Sequence, residues 1–204
     1  HSVGLFYSAI TAHLGFAVNE GEYKVMGMAA YGQPKYLSVM QDMLRLESDG
    51  SFNLNLDYFS HHYSLRSPTT KKLLKAIGAP RTPGSIFDIS PKADSTIRHL
   101  NQKFADIAAS AQVHLEAVMQ HLAASAMEKC GSKNLCLAGG VTLNARSNGM
   151  LAKSGIANAI WAQPAAGDAG AALGAALWVW HDVLGNPRNK RGFPIDLGRE
   201  WSKS

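Results

Sequence analysis

Residues 137–149 read LAGGVTLNARSNG, with Gly139 and Gly140 between an apolar run and polar residues that open a helix. Two glycines at a strand tip let a ligand approach the backbone without meeting a Cβ, and the helix behind them offers free N–H groups to an anion. That pattern suits a nucleotide or phosphate platform. Neither GxGxxG nor GxxxxGK[ST] occurs in the chain, so a tight turn demanded by packing stays open as the other reading.

A second candidate is PAAGDAGAALGAAL, where Asp168 stands between Gly167 and Ala169 at the start of the last helix. A carboxylate there is favoured by the helix dipole and reads either as an N-cap or as a ligand for metal or nucleotide phosphate. Gly170 and Gly174, with Ala171 and Ala172, would let this helix pack close to a neighbour. The third candidate is EGEYKVMGMAAYG, in which Glu22 and Lys24 lie two apart on a glycine-flanked loop, as a surface pair or as a catalytic one. His61 and His62 have no third ligand at metal spacing nearby, and the other histidines are isolated along the chain. No Ser/His/Asp or Cys/His ordering emerges, so a catalytic residue is not assigned.

The elements that must position these residues alternate in type. Ile97, Leu100, Phe104, Ile107, Ala111, Leu115, Val118, Met119 and Leu122 recur at three- and four-residue steps, which predicts one long helix over 95–129. Asp94 or Ser95 can cap it and Gly131 can end it. NLCLAGG then reads as a short apolar strand whose end looks buried. A helix over 144–153, a strand around AIWAQP and a last helix from Gly167 follow. Helix, strand, helix, strand, helix is the order of an α/β layered fold.

The first half is less regular. Residues 2–16 read as a helical segment, 21–32 as glycine-punctuated loop and short helix, and KYLSVMQDMLRL as a helix. RLESDGSFNLNLDYF reads as a β-hairpin turning at Asp49-Gly50. TTKKLLKAIG is a short helix, residues 80–94 an irregular connector, and the segment after Leu184 a linker.

Composition bounds the function. The 204 residues are 46% hydrophobic and 17% charged, which describes a folded chain with one sizeable core or two small ones. No run of eighteen apolar residues or secretory leader pattern is present, so a cytoplasmic setting without a membrane partner is expected. Cys130 and Cys136 are too few for a disulfide framework and read as reduced thiols. The net charge of +5 is scattered, with small clusters at Lys71, Lys72, Lys75 and at Arg188, Lys190, Arg191, and reads as solvated surface rather than a nucleic-acid footprint.

GLFYSAITAHLGF, GEYKVMGMAAYG, NLCLAGGVTLNARSNG and QPAAGDAGAALGAAL, in that order, resemble the O-carbamoyltransferases of nodulation-factor and aminoglycoside-antibiotic biosynthesis. The likeness runs over nearly the whole chain, including SDGSFNLNLDYF. It implies an actin, chaperone-ATPase and sugar-kinase-like (ribonuclease H-like) α/β lobe, similar to the kinase-like subunit of the tRNA threonylcarbamoyladenosine machinery. Residues 1–186 would form the second half of that domain, and 187–204 a linker towards an adenylate-forming domain.

The implied activity moves a carbamoyl group from carbamoyl phosphate to a hydroxyl of a small molecule or oligosaccharide, through a carbamoyl adenylate made with ATP. By resemblance, Asp168 matches a ligand of a divalent metal, usually iron in that superfamily. Gly139, Gly140 and Asn144 match the turn that holds the adenylate, and Glu22 and Lys24 match a nucleotide-side loop. The histidines of the family's HxxxH-type metal motif have no counterpart in these 204 residues. The resemblance therefore implies a fragment without turnover of its own, prone to self-association where the missing half would pack. Two other assignments compete: the tRNA-modifying subunit itself, and a nucleotide-binding ATPase-like regulatory module without transfer activity.

Overall fold

The computed structural model describes residues 1–64 and 70–188, so the expected linker lies outside the described residues from position 189 onward, as do Lys190 and Arg191. The chain is mixed α/β, with the long helix at its centre. Helix α1 (Val3–His13) starts at Ser2, whose Oγ accepts from the Leu5 N–H at 3.3 Å. Helices α2 (Glu22–Ala29) and α3 (Leu37–Met43) follow. The helix expected through KYLSVMQDMLRL stops at Met43, because Leu44–Leu46 is taken up as strand β1 of the hairpin with β2 (Phe52–Leu54). The strands pair antiparallel around Asp49-Gly50, and Lys129 Nζ donates to the Asp49 carbonyl at 2.7 Å, holding the turn against the long helix.

Helix α4 (Lys71–Ile77) is capped by Thr70. Helix α5 (Ser95–Cys130) spans 36 residues; the Asp94 carboxylate caps it through the N–H groups of Thr96 and Ile97, and Gly131 ends it in the left-handed conformation. Its middle, from Phe104 to Met119, is buried except for half-buried Val113 and exposed Ala117, and α1, α2 and α3 lay Phe6, Ile10, Val25, Met28, Met40 and Met43 into the same core. Each fully buried side chain of this size contributes about 1.5–3 kcal/mol. Ile97 and Leu100, expected on the buried face, are half-exposed at its start. They line a cavity of about 560 Å³ with Arg81, Asn101 and Phe104, between this end of α5 and the irregular connector.

Gly32 explains how α2 reaches α5. A Cβ on Gly32 would stand 1.9 Å from the Ala105 carbonyl oxygen, so the chain passes directly over the α5 backbone there. Behind it the Asp106 carboxylate accepts from the Gln33 N–H at 2.9 Å and pairs with Lys35 Nζ at 2.7 Å, while Ser110 Oγ accepts from the Tyr36 N–H at 2.9 Å.

Strands β3 (Asn134–Leu137) and β4 (Ala159–Ala162) pair in parallel, joined by helix α6 (Ala145–Lys153) in a βαβ unit. The NLCLAGG strand end is not buried as its composition suggested. Leu135 and Leu137 pack half-buried against the core, whereas Asn134, Cys136 and Ala138 are exposed. The alternation of the pleat places every second residue on an open face. Helix α7 (Ala171–Trp178) buries no residue among the described ones, so its glycine–alanine stripe meets no neighbouring helix there. Trp161, Trp178, Trp180 and Leu184 are each more than half exposed. Among the described residues no helix is long and apolar enough to cross a membrane.

Candidate functional site

The turn after β3 and the loop after β4 meet at the carboxyl ends of the two parallel strands, where α/β layers bind ligands. Gln163 N–H donates to the Leu137 carbonyl at 3.2 Å, continuing the pairing past β4. Gly139 N–H then donates to the Ala166 carbonyl at 2.8 Å. Gly139 has φ 102°, a conformation glycine adopts without steric cost, and its carbonyl accepts from the Thr142 N–H at 3.0 Å and from Thr142 Oγ1 at 2.7 Å. Residues Gly140–Leu143 form a single 3-10 turn that delivers the chain to α6.

The two glycines divide the two readings of the motif between them. Gly139 is a turn residue by its backbone, with its N–H used internally. A Cβ on Gly140 would meet nothing within 4 Å, so this position faces open space in front of the turn. Gly167 lies across from it, with the place of its missing Cβ 3.8 Å from Gly140 Cα.

Asn144 holds the turn from behind. Its Oδ1 accepts from the Ser147 N–H at 3.0 Å, capping α6, and its amide pairs with that of Gln112 through two hydrogen bonds of 3.0 and 3.1 Å. The side chain is buried and used within the protein, not turned outward from the turn. Gln112 in turn accepts from the Tyr7 hydroxyl at 2.8 Å and donates to Glu116 at 2.9 Å, and Glu116 pairs with Arg146 Nε at 2.6 Å. Burial holds the Tyr7 hydroxyl well above the ordinary phenol range; the negative charges of Glu116 and Glu22 act the same way, against a hydrogen bond from Asn144. Sequence reasoning missed this group. The signal was present in the alternation of Ser110, Gln112, His114 and Glu116 through the most apolar part of α5, where polar side chains must find partners.

Asp168 is exposed and opens a 3-10 turn, Asp168–Gly170, that leads into α7. Gly167 occupies the N-cap position and the Asp168 side chain makes no capping bond, so the N-cap reading fails, and among the described residues the carboxylate has no hydrogen-bond or ion-pair partner. Among the described residues no three His, Cys, Asp or Glu side chains group to hold a metal ion. One carboxylate beside the glycine turn can give a single ligand, which is not by itself a metal site.

Glu22 and Lys24 sit in the first turn of α2 and not on a loop. They do not pair with each other. Glu22 Oε1 accepts from Ser8 Oγ and from the Asn19 N–H, both at 3.0 Å, tying α2 to α1. Lys24 is exposed, its Nζ 5.7 Å from the centre of the Tyr23 ring and 6.0 Å from that of Phe16. Among the described residues neither side chain hydrogen-bonds to the glycine turn or to Asp168.

A parallel βαβ unit with an open glycine position thus faces, at the carboxyl ends of its strands, a loop whose Asp168 carboxylate makes no capping bond among the described residues. The chain belongs to the carbamoyltransferase family: the family described as Carbamoyltransferase N-terminus matches residues 1–177. It is 49% identical over 192 residues to an uncharacterized protein of Synechocystis, covering 94% of this chain and 29% of that protein. It is 34% identical over 206 residues to nodulation protein NolO of Bradyrhizobium diazoefficiens, covering 98% and 33% respectively. It is 36% identical over 183 residues to nodulation protein NolNO of Sinorhizobium fredii, covering 89% and 23%. The chain thus spans a third or less of the length of these relatives.

Proposed function

We propose that this chain supplies the nucleotide-facing layer of an ATP-dependent O-carbamoyltransferase with an actin- and sugar-kinase-like lobe. The observation that carries the reading is the junction of Gly139 and Gly140 with Ala166–Asp168 at the carboxyl ends of β3 and β4. Gly140 gives the phosphate of a carbamoyl adenylate a place to approach the backbone. Asp168 contributes one carboxylate to a divalent metal, iron in the superfamily it resembles, whose other ligands come from outside the described residues.

In the transfer step the acceptor oxygen forms a bond to the carbamoyl carbon, the bond from that carbon to the adenylate phosphate oxygen breaks, and AMP leaves. The hydroxyl proton must pass to a base, and none of the residues of this junction is placed for that role. Family membership and the relatives named as nodulation proteins favour a hydroxyl of a small molecule or oligosaccharide as acceptor over a tRNA.

The test is to incubate the full-length protein with isotopically labelled carbamoyl phosphate and ATP and to follow pyrophosphate and label. Release of pyrophosphate with transfer of label to a hydroxylated acceptor is expected. ATP hydrolysis to ADP without pyrophosphate would replace this reading with that of an ATPase-like module.

A further inference from the structure

Gln112 lies near the middle of α5, 1% exposed, and every hydrogen-bonding position of its carboxamide is filled. Oε1 accepts from the Tyr7 hydroxyl at 2.8 Å and from Asn144 Nδ2 at 3.0 Å; Nε2 donates to Glu116 Oε1 at 2.9 Å and to Asn144 Oδ1 at 3.1 Å. A carboxamide offers two acceptor and two donor positions, so none is left for ligand or solvent. Its orientation is also determined: the Glu116 oxygen that receives Arg146 Nε at 2.6 Å needs a donor from Gln112 and not an acceptor.

The consequence falls on the turn. Asn144 ends the Gly140–Leu143 turn, its N–H donating to the Val141 carbonyl at 3.0 Å, and caps α6 with the same side chain that Gln112 grips. We infer that Gln112 is a positioning residue for the nucleotide: it sets the place of the Gly140 turn against the Ala166–Asp168 loop, with its own carboxamide fully used within the protein. Tyr7 braces it from α1, so the placement of the turn is decided jointly by the helical core and the βαβ unit. A buried polar network with every member satisfied specifies one arrangement, where apolar side chains in its place would permit several.

This inference rests on the nucleotide-binding reading, and ATP affinity tests the two separately. Dissociation constants for ATP are measured by titration calorimetry on the full-length protein, with melting temperatures recorded alongside. Gln112→Leu is expected to weaken ATP binding about ten-fold or more while the variant stays folded. Gln112→Glu supplies a readout that a merely structural role would not move. It sets a second carboxyl against Glu116, with Tyr7, Arg146 and more distant Glu22 as the other titratable or charged groups around it. Two carboxyls in contact hold a shared proton at low pH and repel once it is lost. ATP binding by Gln112→Glu should therefore be near wild type at acidic pH and fall as pH rises, where the wild type does not follow.

Unchanged ATP affinity in both variants, with a lowered melting temperature alone, would overturn the inference and leave the proposed function standing. Wild-type protein that binds ATP without transferring carbamoyl groups would sink the proposed transfer and leave the inference intact. No ATP binding by the wild type sinks both.

Discussion

The N–H of Gly139 donates to the carbonyl of Ala166 at 2.8 Å, joining the turn after β3 to the loop after β4. Through this one bond the glycine motif and the loop of Asp168, separate in sequence, become two sides of one junction.

The two glycines of that junction should respond oppositely to alanine. Gly139→Ala forces a side chain into φ 102°, ψ 156°, a region essentially reserved to glycine, and should cost about 1–3 kcal/mol, read as a lowered urea midpoint. Gly140→Ala adds a methyl group to open space and should leave stability within about 0.5 kcal/mol. It should still weaken ATP binding in the full-length protein. Equal loss of stability in both variants would assign the whole motif to packing.

Asp168 carries no capping bond and is exposed, so Asp168→Asn should leave the melting temperature unchanged. Metal content of the full-length protein, measured by mass spectrometry, should drop, and carbamoyl transfer with it. Full metal content and activity in this variant would remove Asp168 from the site.

Gly32→Ala places a Cβ 1.9 Å from the Ala105 carbonyl oxygen, and both atoms belong to rigid backbone. The α2–α5 contact must open, at about 3 kcal/mol. Circular dichroism melting of the variant should show this loss, and a wild-type melting temperature would contradict the close approach.

His13 at the end of α1 is fully buried, and neither ring nitrogen has a hydrogen-bond partner among the described residues. Burial, aided by the charge of Lys103, lowers its pKa from 6.5 to about 4. The unfolded chain thus binds a proton between these values that the folded one refuses. Stability is complete above pH 6.5 and is lost as pH falls towards 4, by about 3 kcal/mol at most from this group. Burial also lowers the His114 pKa, against the hydrogen bond to the Leu44 carbonyl, and acts with the same sign. His13→Leu should flatten the fall in urea midpoint between pH 7 and 5, leaving the part due to His114 and to His61, whose pKa burial also lowers. An unaltered pH dependence would locate the acid sensitivity elsewhere.

Much of the fold was legible in the sequence. The span of α5, its Asp94 cap and its Gly131 end follow from contacts within a few residues, as do the Asp49-Gly50 hairpin and the order β3, α6, β4. Less legible was where each face points. Ile97 and Leu100 obey the apolar period of α5 yet stand half-exposed, and Cys136 lies in an apolar run yet faces outward. Periodicity reports which residues share a face, and only the neighbours present decide whether that face is covered.

The candidate site divides along the same line. Sequence alone determined that two glycines follow a strand and that a carboxylate opens the last helix, since a missing Cβ and a helix start are local properties; the φ of 102° at Gly139 and the lack of a cap from Asp168 came with the structure. Tertiary structure decided the rest. By resemblance Asn144 belongs to the turn that holds the adenylate, yet in the structure Gln112, 32 residues away, takes its amide. Tyr7 supports that pair from 105 residues away. A hydrogen bond between side chains so distant in sequence depends on the packing of α1, α5 and α6 together, and no local pattern encodes that distance.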